Sequence, residues 1–330
     1  MIMRTRLTTT LASLVGAALL LACVAIPCPA FAQDYPTRPV RILVGLSPGG
    51  GTDILARLLA DKLGQLWQKS VIVENRAGAS GSIAMDAVAK AAPDGNTLGI
   101  LILNHVVFEE MLKTPPYLIA RDLTPLISLS RQSNILVVNP AIPATNVTEL
   151  VAYLKANPGK LSYASGGAGS PAHLAAELFK LQTGVDMVHV PYKGAAPAIQ
   201  DVLGGSVPIM FAASPSALPQ VRAGRLRALA VTSDTRSPQT PDIPSLSESG
   251  IQYDVRDWQG VVGPAGMPAA LVTRINDDLQ KVLEMPNVKA RITAIGGEVV
   301  GGPPARFAAH LRSEADKWKR VVRDARLSVD

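Results

Sequence analysis

The sequence predicts an α/β protein in which short apolar strands alternate with amphipathic helices. Residues 40–44 form an apolar strand that leads through a glycine-rich loop into a helical pattern beginning near Thr52. Residues 97–103 (TLGILIL) are continuously apolar, as in a parallel strand buried on both faces. The same alternation recurs between residues 161 and 231. We therefore expect mostly parallel sheets flanked by helices, with right-handed crossovers.

The repeated alternation indicates two lobes with a cleft between them, and 330 residues suffice for two domains of ordinary size. Two apolar runs in residues 123–139 are broken at Arg131-Gln132-Ser133, where we expect the chain to cross between lobes. Residues 253–262, which include Trp258, return it. The expected division is a signal peptide at 1–32, lobe 1 at 33–133 plus 258–330, and lobe 2 at 134–257.

The N-terminal segment has the pattern of an export signal. Arg4 and Arg6 precede an apolar run at residues 11–24, and Ala30-Phe31-Ala32 fits a small-x-small cleavage site. The mature chain is then expected to begin at Gln33 in the periplasm. An uncleaved membrane anchor and a lipoprotein modified at Cys23 are the alternatives.

The mature chain would contain no cysteine, because Cys23 and Cys28 both lie in this leader. Without Arg4 and Arg6, 30 basic side chains face 26 acidic ones, a net charge of about +4. This mild excess favours small anionic ligands. The basic residues are scattered and lack aromatic interleaving, so we expect no nucleic-acid binding.

The loop after the first strand reads Leu46-Ser47-Pro48-Gly49-Gly50-Gly51-Thr52. Free N–H groups at a helix start attract anions, and open α/β sheets bind ligands at the carboxyl ends of their strands. A Walker loop is excluded because no lysine follows Gly51, and G-x-G-x-x-G fails at Ile54. A tight turn without a ligand is the alternative.

Two further groups lie at strand ends. Asn104 and His105 follow the third strand, on the rim expected to carry the first loop, although turn formation or packing would also explain them. A second small-residue loop, residues 165–171 (SGGAGSP), opens another helix, with Ser170 as its N-cap and Pro171 as its first residue. This loop also matches G-x-G-x-x-A, but Asp186 precedes its strand instead of ending it, so a dinucleotide site is disfavoured.

No catalytic or metal-binding constellation is apparent. The four histidines are dispersed, none has metal-ligand spacing with another His or a carboxylate, and no G-x-S-x-G motif occurs: His105, His173, His189 and His310. We therefore expect no cofactor, no metal and no catalytic residue, and we single out only His173, which lies just inside the second loop's helix.

Five segments together resemble one family: YPTRPVRILVGLSPGGGTDILARLLADKL, VIVENRAGASGSIAMDAVAKAAPDGNTL, LSYASGGAGSPAHLAAELF, VHVPYKGAAPAIQDVLGG and LRALAVTS. They are similar, in order, to the signatures of Bug-type (TctC-like) receptors, the periplasmic solute-binding proteins of tripartite tricarboxylate transporters. The resemblance implies a two-lobed periplasmic-binding-protein-like fold that closes on a small organic carboxylate. It also implies a monomer that delivers its ligand to a membrane permease of the tripartite tricarboxylate type.

The resemblance assigns ligand contacts residue by residue. In the family, backbone groups and bridging waters at the first loop hold one end of the ligand, and the second lobe's loop holds a carboxylate. The matching positions are Ser47, Pro48, Gly49, Gly50, Gly51, Thr52, Asp53, Asn104, Ser165, Gly166, Gly167, Gly169 and Ser170.

Two positions depart from the family pattern. Members commonly carry an aspartate after Met-Phe, whereas Ala212 follows Met210-Phe211 here, which favours a ligand that is apolar or bulkier at that point or indicates a degenerate site. Leu46-Ser47 replaces a usual aromatic-containing segment. Dicarboxylates, aromatic acids, amino acids and terephthalate-like diacids all stay open as ligands. The alternatives to a transport receptor are a cofactor-dependent α/β enzyme and a ligand-binding sensor partner.

Overall fold

The computed structural model describes residues 35–328 of the chain. The predicted leader, its expected cleavage site and Cys23 lie outside them. The chain divides into two units, Met1–Thr37 and Arg38–Asp330; in the described part of the first, the Tyr35-Pro36 peptide bond is cis.

Short strands and helices alternate along the chain, as predicted. The strands within the described residues are β1 (Val40–Val44), β2 (Val71–Asn75), β3 (Thr97–Ile102), β4 (Leu123–Val138), β5 (Ser162–Ser165), β6 (Val188–Pro191), β7 (Ile209–Ala213), β8 (Arg227–Val231), β9 (Arg256–Pro264) and β10 (Glu298–Val299). The helices are α1 (Gly51–Trp67), α2 (Ser82–Ala89), α3 (Leu103–Met111), α4 (Ile119–Asp122), α5 (Val147–Ala156), α6 (Pro171–Thr183), α7 (Ala195–Gly204), α8 (Ser214–Arg222), α9 (Ala269–Glu284), α10 (Pro286–Ala294) and α11 (Pro304–Asp324).

The strands form one curled, mixed sheet in the order β2-β1-β3-β9-β4-β7-β5-β6, with β8 and β10 also paired to β4. The β1, β2 and β3 strands are parallel to one another, as are β5, β6 and β7. The two parallel groups are joined through antiparallel pairs that involve β4 and β9. The predicted α/β class, with helices flanking a sheet, is confirmed. The separate, mostly parallel sheets that we expected are one continuous mixed sheet.

The strand β4 connects the two parallel groups without interruption. From Leu123 to Ser133 it pairs with β9, and from Asn134 onwards it pairs with β7 and β8. The polar residues Arg131, Gln132 and Ser133, which separate the two apolar runs, stay in the strand and pair with residues of β9. The change of partners occurs directly after them, at the position where we expected the crossing.

Helix α3 differs from the prediction in where it begins, and helix α1 ends with a tryptophan in the core. Helix α3 begins at Leu103, so Asn104 and His105 lie in a first helical turn and not in a strand end. On α1, Leu55, Leu59 and Leu63 are buried, but Leu66 is 41% exposed because the bulky Trp67 takes the core position. The Trp67 indole Nε1 donates to Asp278 Oδ2 of α9 at 2.8 Å.

Two clusters of buried apolar residues cover parts of the sheet. One runs from α2, α3 and α11 to α6, and includes Tyr163, Phe211 and Trp258. The other lies against α7 and α8 and includes Ile135, Met210 and Ala212. Within residues 35–328, no helix combines the length and the apolar character needed to span a bilayer.

Candidate ligand-binding site

The first loop links the end of β1 to the start of α1, and its residues 47–51 are exposed. Gly49 adopts a positive φ of 86°, which favours glycine. Gly50 is the N-cap of α1 and supplies no side-chain cap, so the helix presents backbone N–H groups at this end. Thr52 and Asp53 are buried beneath the loop.

The Asp53 carboxylate holds the loop in place. It accepts hydrogen bonds from the Gly49 backbone N–H at 2.9 Å, from Arg57 Nε at 3.0 Å and from Asn75 Nδ2 at 2.9 Å. The Arg57 bond, reinforced by Gly49 and Asn75, lowers the pKa of Asp53 to about 2. Asn75 also donates to the Leu46 carbonyl at 3.0 Å. Because protein donors reach both of its oxygens, Asp53 positions the loop and does not present a free carboxylate.

The glycines below this loop permit close packing at the rim. A Cβ on Gly45 would lie 2.5 Å from the Gly81 Cα, and one on Gly81 would lie 2.3 Å from His105 Nε2. Gly81 also has a φ of 92°. The base of the first loop, the turn at residues 78–81 and the start of α3 therefore meet without room for side chains.

Of the two strand-end candidates, only Asn104 stays partly accessible. It lies half-buried in the first turn of α3, and no hydrogen bond to its side chain occurs within residues 35–328. His105 is buried, and its Nδ1 accepts from the Ile102 backbone N–H at 3.0 Å. Burial lowers the pKa of His105 to about 4, so it is neutral. His105 therefore caps α3 and is not displayed to a ligand.

The second loop follows β5 and is closed by its own side chains. The buried Ser165 hydroxyl lies 2.6 Å from His189 Nε2 and accepts from the Gly167 backbone N–H at 3.1 Å. Gly167 and Gly169 have positive φ angles of 123° and 71°. Gly166 packs against Gly194, where a Cβ would lie 3.3 Å from the backbone.

The start of α6 has the predicted cap. Ser170 Oγ accepts from the His173 backbone N–H at 3.4 Å, and Pro171 occupies the first turn. His173 reaches back, since its Nδ1 accepts from the Gly169 backbone N–H at 3.0 Å. An accepting Nδ1 places the proton of the neutral ring on Nε2. His173, which we singled out from its position just inside this helix, therefore holds the loop that precedes its own helix.

A stack of three rings supports the second loop from below. The centroids of His173 and His189 are 4.1 Å apart, and those of His189 and Tyr163 are 4.9 Å apart, with nearly parallel planes. Tyr163 donates its hydroxyl to Glu177 Oε1 at 2.5 Å, and Lys180 pairs with the same oxygen at 2.9 Å. Burial, then the neighbouring His189, lowers the pKa of His173 to about 4; burial also lowers that of His189. Both imidazoles are therefore neutral at pH 7.

Sequence reasoning missed the role of His189. Tyr163 and His189 are direct partners in the parallel β5–β6 register, and that register was not available from the sequence. Lys193 follows β6 on the same rim and is exposed, with no ion pair among the described residues. It supplies a cation beside the second loop.

Ala212 has no exposed surface, and its methyl group lies in the apolar cluster against α7 and α8. It therefore presents nothing to a ligand in this conformation. The next helix is tied to the crossing strand, because Ser214 Oγ donates to the Ser133 carbonyl at 2.8 Å. The candidate residues thus form two groups, one at the carboxyl ends of β1 and β3 and one at those of β5 and β7. Within residues 35–328, no group of three His, Cys, Asp or Glu side chains is arranged to hold a metal ion.

Comparison with known proteins gives consistent matches. The family described as "Tripartite tricarboxylate transporter family receptor" matches residues 55–327. Protein BugT of Bordetella pertussis is 35% identical over 302 residues, covering 91% of this chain and 93% of BugT. Among solved structures, R. palustris Rpa4515 with adipate is 36% identical, with a TM-score of 0.76, and covers 89% of this chain and 99% of that one.

A second solved structure, MatC from Rhodopseudomonas palustris with bound malate, is 29% identical with a TM-score of 0.74, and the match covers 87% of this chain and all of MatC. The resemblance seen in the sequence is thereby confirmed. This chain belongs to the tripartite tricarboxylate transporter receptor family, whose members are periplasmic solute-binding receptors and not enzymes.

Proposed function

We propose that this chain is a periplasmic receptor that captures a small organic carboxylate between two lobes and delivers it to a tripartite tricarboxylate-type permease. One observation carries the proposal. Two glycine-containing loops follow the carboxyl ends of parallel strands, and each leads into the N-terminus of a helix. Solved structures similar to this chain hold adipate and malate. Helix N-termini favour anions through their free N–H groups and the helix dipole.

In this proposal each lobe holds one end of the ligand. Lobe 1 offers the loop at residues 47–52, backed by Asp53, together with Asn104. Lobe 2 offers the loop at residues 165–170, with Lys193 as a neighbouring cation. The net positive charge of the mature chain favours the approach of an anion.

We assign the lobes to residues 33–133 plus 258–330 and 134–257. The change of β4 partners between Ser133 and Asn134 supports this division, and the start of β9 at Arg256 supports the return crossing. Closure is then a hinge motion about these two strands. We also propose that the chain is exported and cleaved after Ala32 and that the mature protein is a monomer. A permease then recognises its closed form.

Isothermal titration of residues 33–330 with adipate, malate and a wider set of organic acids tests this function. We expect at least one carboxylate to bind, and Ser47→Ala combined with Ser170→Ala to weaken that binding at least tenfold. Ser313→Ala, an exposed serine on α11, is the matched control and should leave the affinity unchanged. Binding of a dinucleotide with no response to any carboxylate would contradict the proposal.

A further inference from the structure

The two crossing strands carry a row of polar side chains, Gln132, Asn134, Asp257 and Gln259, which we call the hinge ladder. Gln132 pairs with Asp257 in the β4–β9 register, and Gln132 Nε2 donates to Asp257 Oδ2 at 3.3 Å. Because side chains alternate between the faces of a strand, Gln259 shares the face of Asp257, and Asn134 that of Gln132. The ladder therefore lies on one face of the crossing strands.

The opposite face of these strands is covered by α11. Trp258, between the two β9 members of the ladder, donates its indole Nε1 to Glu314 Oε2 at 3.0 Å. Its ring meets Phe307 and His310 edge-on, at centroid distances of 5.9 and 5.1 Å. Since α11 occupies the side of Trp258, the ladder faces away from α11.

The ladder extends between the two rims that carry the candidate site. Gln259 pairs with Ile102, the last residue of β3, two positions before Asn104. Asn134 pairs with Ala213, the last residue of β7 and the neighbour of Ala212. Asp257 lies between these two levels, on the only two strands that join the lobes in this sheet of the described chain.

Three of the four side chains have a buried oxygen that lacks a hydrogen-bond partner among residues 35–328: Asn134 Oδ1, Asp257 Oδ1 and Gln259 Oε1. Buried polar groups are normally paired, so three neighbouring acceptors without protein donors indicate that water or a ligand supplies the donors. Burial raises the pKa of Asp257 to about 7, and a hydrogen-bond donor on a ligand would favour the ionised form of this carboxyl.

We propose that the hinge ladder forms the floor of the ligand cleft and selects carboxylates that carry a hydroxyl or ammonium group over their unsubstituted parents. This inference rests on the proposed function. The two loops hold the carboxylate ends, and Asp257 accepts a hydrogen bond from the donor on the ligand's carbon chain. Asp257 is the discriminating member, since the amides of Asn134 and Gln259 can turn to donate or accept whereas an ionised carboxylate only accepts.

Asp257 alters the kind of ligand that Ala212 led us to expect. The absence of an acid after Met-Phe favoured a ligand that is apolar at that point. Asp257 places a carboxyl on the crossing strand beside the same rim, so the site retains an acidic group from a different element.

Calorimetric dissociation constants for matched ligands test this selectivity. The probes are succinate, malate and aspartate, which share four carbons and differ in a donor, and adipate with 2-aminoadipate and 3-hydroxyadipate. In whichever of the two ligand series binds, we expect the wild type to bind the hydroxyl- or ammonium-bearing acid about tenfold or more tightly than the unsubstituted acid. A polar site rejects an analogue that leaves its polar groups unpaired. Asp257→Leu should reduce this ratio to about one, and the exposed Asp277→Asn should retain it.

Asp257→Asn is the second variant, in case Asp257→Leu does not fold. It keeps the shape of the side chain and removes the charge, so the ammonium-bearing ligand should lose affinity more than the hydroxyl-bearing one. A mere structural role for Asp257 would weaken all ligands alike and leave the ratios intact. Equal binding of parent and donor-bearing ligands by the wild type, or ratios that persist in Asp257→Leu, would overturn the inference. Failure of every carboxylate to bind would instead reject the proposed function, and this inference with it.

Discussion

Asp53 shows how a single buried side chain fixes a loop made of glycines. Its carboxylate binds the Gly49 N–H, Arg57 and Asn75. We expect Asp53→Asn to lower the free energy of unfolding by about 1–3 kcal/mol, since partners of a charged acceptor lose their bonds. Urea unfolding at pH 7 measures the loss, with the exposed Asp61→Asn as control. An unchanged unfolding free energy would show that the loop holds its shape without this carboxylate.

The pH dependence of this contribution follows from the lowered pKa. Asp53 has a folded-state pKa of about 2, below its ordinary value of 3.8, so its stabilisation is complete above pH 3.8 and is lost as the pH falls towards 2. The difference in stability between wild type and Asp53→Asn should therefore shrink on going from pH 7 to pH 2. A constant difference would contradict the assignment.

The imidazoles under the second loop lose their stabilisation in the same direction, as the pH falls, but at a higher pH. Burial lowers the pKa of His173 to about 4, below the ordinary 6.5, so the stability of the neutral ring is complete above pH 6.5 and falls as the pH drops towards 4. His173→Asn retains an acceptor for the Gly169 N–H and removes the ionisable ring, so its melting temperature should fall less between pH 7 and pH 5 than that of the wild type. Equal falls in both proteins would rule out His173 as a source of the acid sensitivity.

Roles that depend on local residue types were predictable from the sequence, and roles that depend on packing or strand register were not. Ser170 and Pro171 were predicted as cap and first helical residue, because capping depends on local residue types. His105, in the first turn of α3, and Ala212, beside the end of β7, both lie near the expected rim. Their side chains are buried, and burial depends on packing between distant segments. His189 and Asp257 gain their roles from strand register, which one sequence does not specify.

At the scale of elements, the N-terminus of α6 allows capping and anion binding to be separated. Ser170→Asp keeps a side-chain acceptor for the cap, so stability should change little, but its negative charge would repel a carboxylate at the loop. Ser170→Ala should cost about 1 kcal/mol of stability. We therefore expect titration calorimetry to show a larger loss of affinity in Ser170→Asp than in Ser170→Ala.

Helix α5 supplies the control for this pair. Asn146 caps α5 by accepting from the Glu149 backbone N–H at 2.9 Å, and it lies outside the candidate site. Asn146→Ala should lower stability by a similar amount while leaving carboxylate affinity intact. If Ser170→Asp bound carboxylates as tightly as the wild type, the second loop would not be a carboxylate site.

Most elements were predictable because apolar periodicity and caps are local signals. Helix α3 was missed because its first residue, Leu103, continues the apolar run of β3, and the cap that starts the helix is the side chain of His105. The continuity of β4 through Arg131-Gln132-Ser133 was also not evident from the sequence. Polar residues normally mark a loop, but Gln132 remains in the strand by pairing with Asp257 across the ladder.

At the scale of the whole molecule, the proposed division makes β4 and β9 the strands that couple the two lobes. If closure is a hinge motion about them, a bound carboxylate should make the chain more compact. Small-angle scattering of residues 33–330 should show a smaller radius of gyration with saturating ligand than without it. A radius that stays constant while calorimetry reports saturation would exclude closure by hinge motion.

Thermal unfolding of residues 33–330 against organic acids and nucleotides tests the central claim most directly. A carboxylate that binds only the folded state at about 100 times its dissociation constant should add about 2.7 kcal/mol to the unfolding free energy. The account predicts such a shift for at least one carboxylate, with Ser170→Asp abolishing it. Stabilisation by a dinucleotide, with no response to any carboxylate, would contradict a carboxylate receptor.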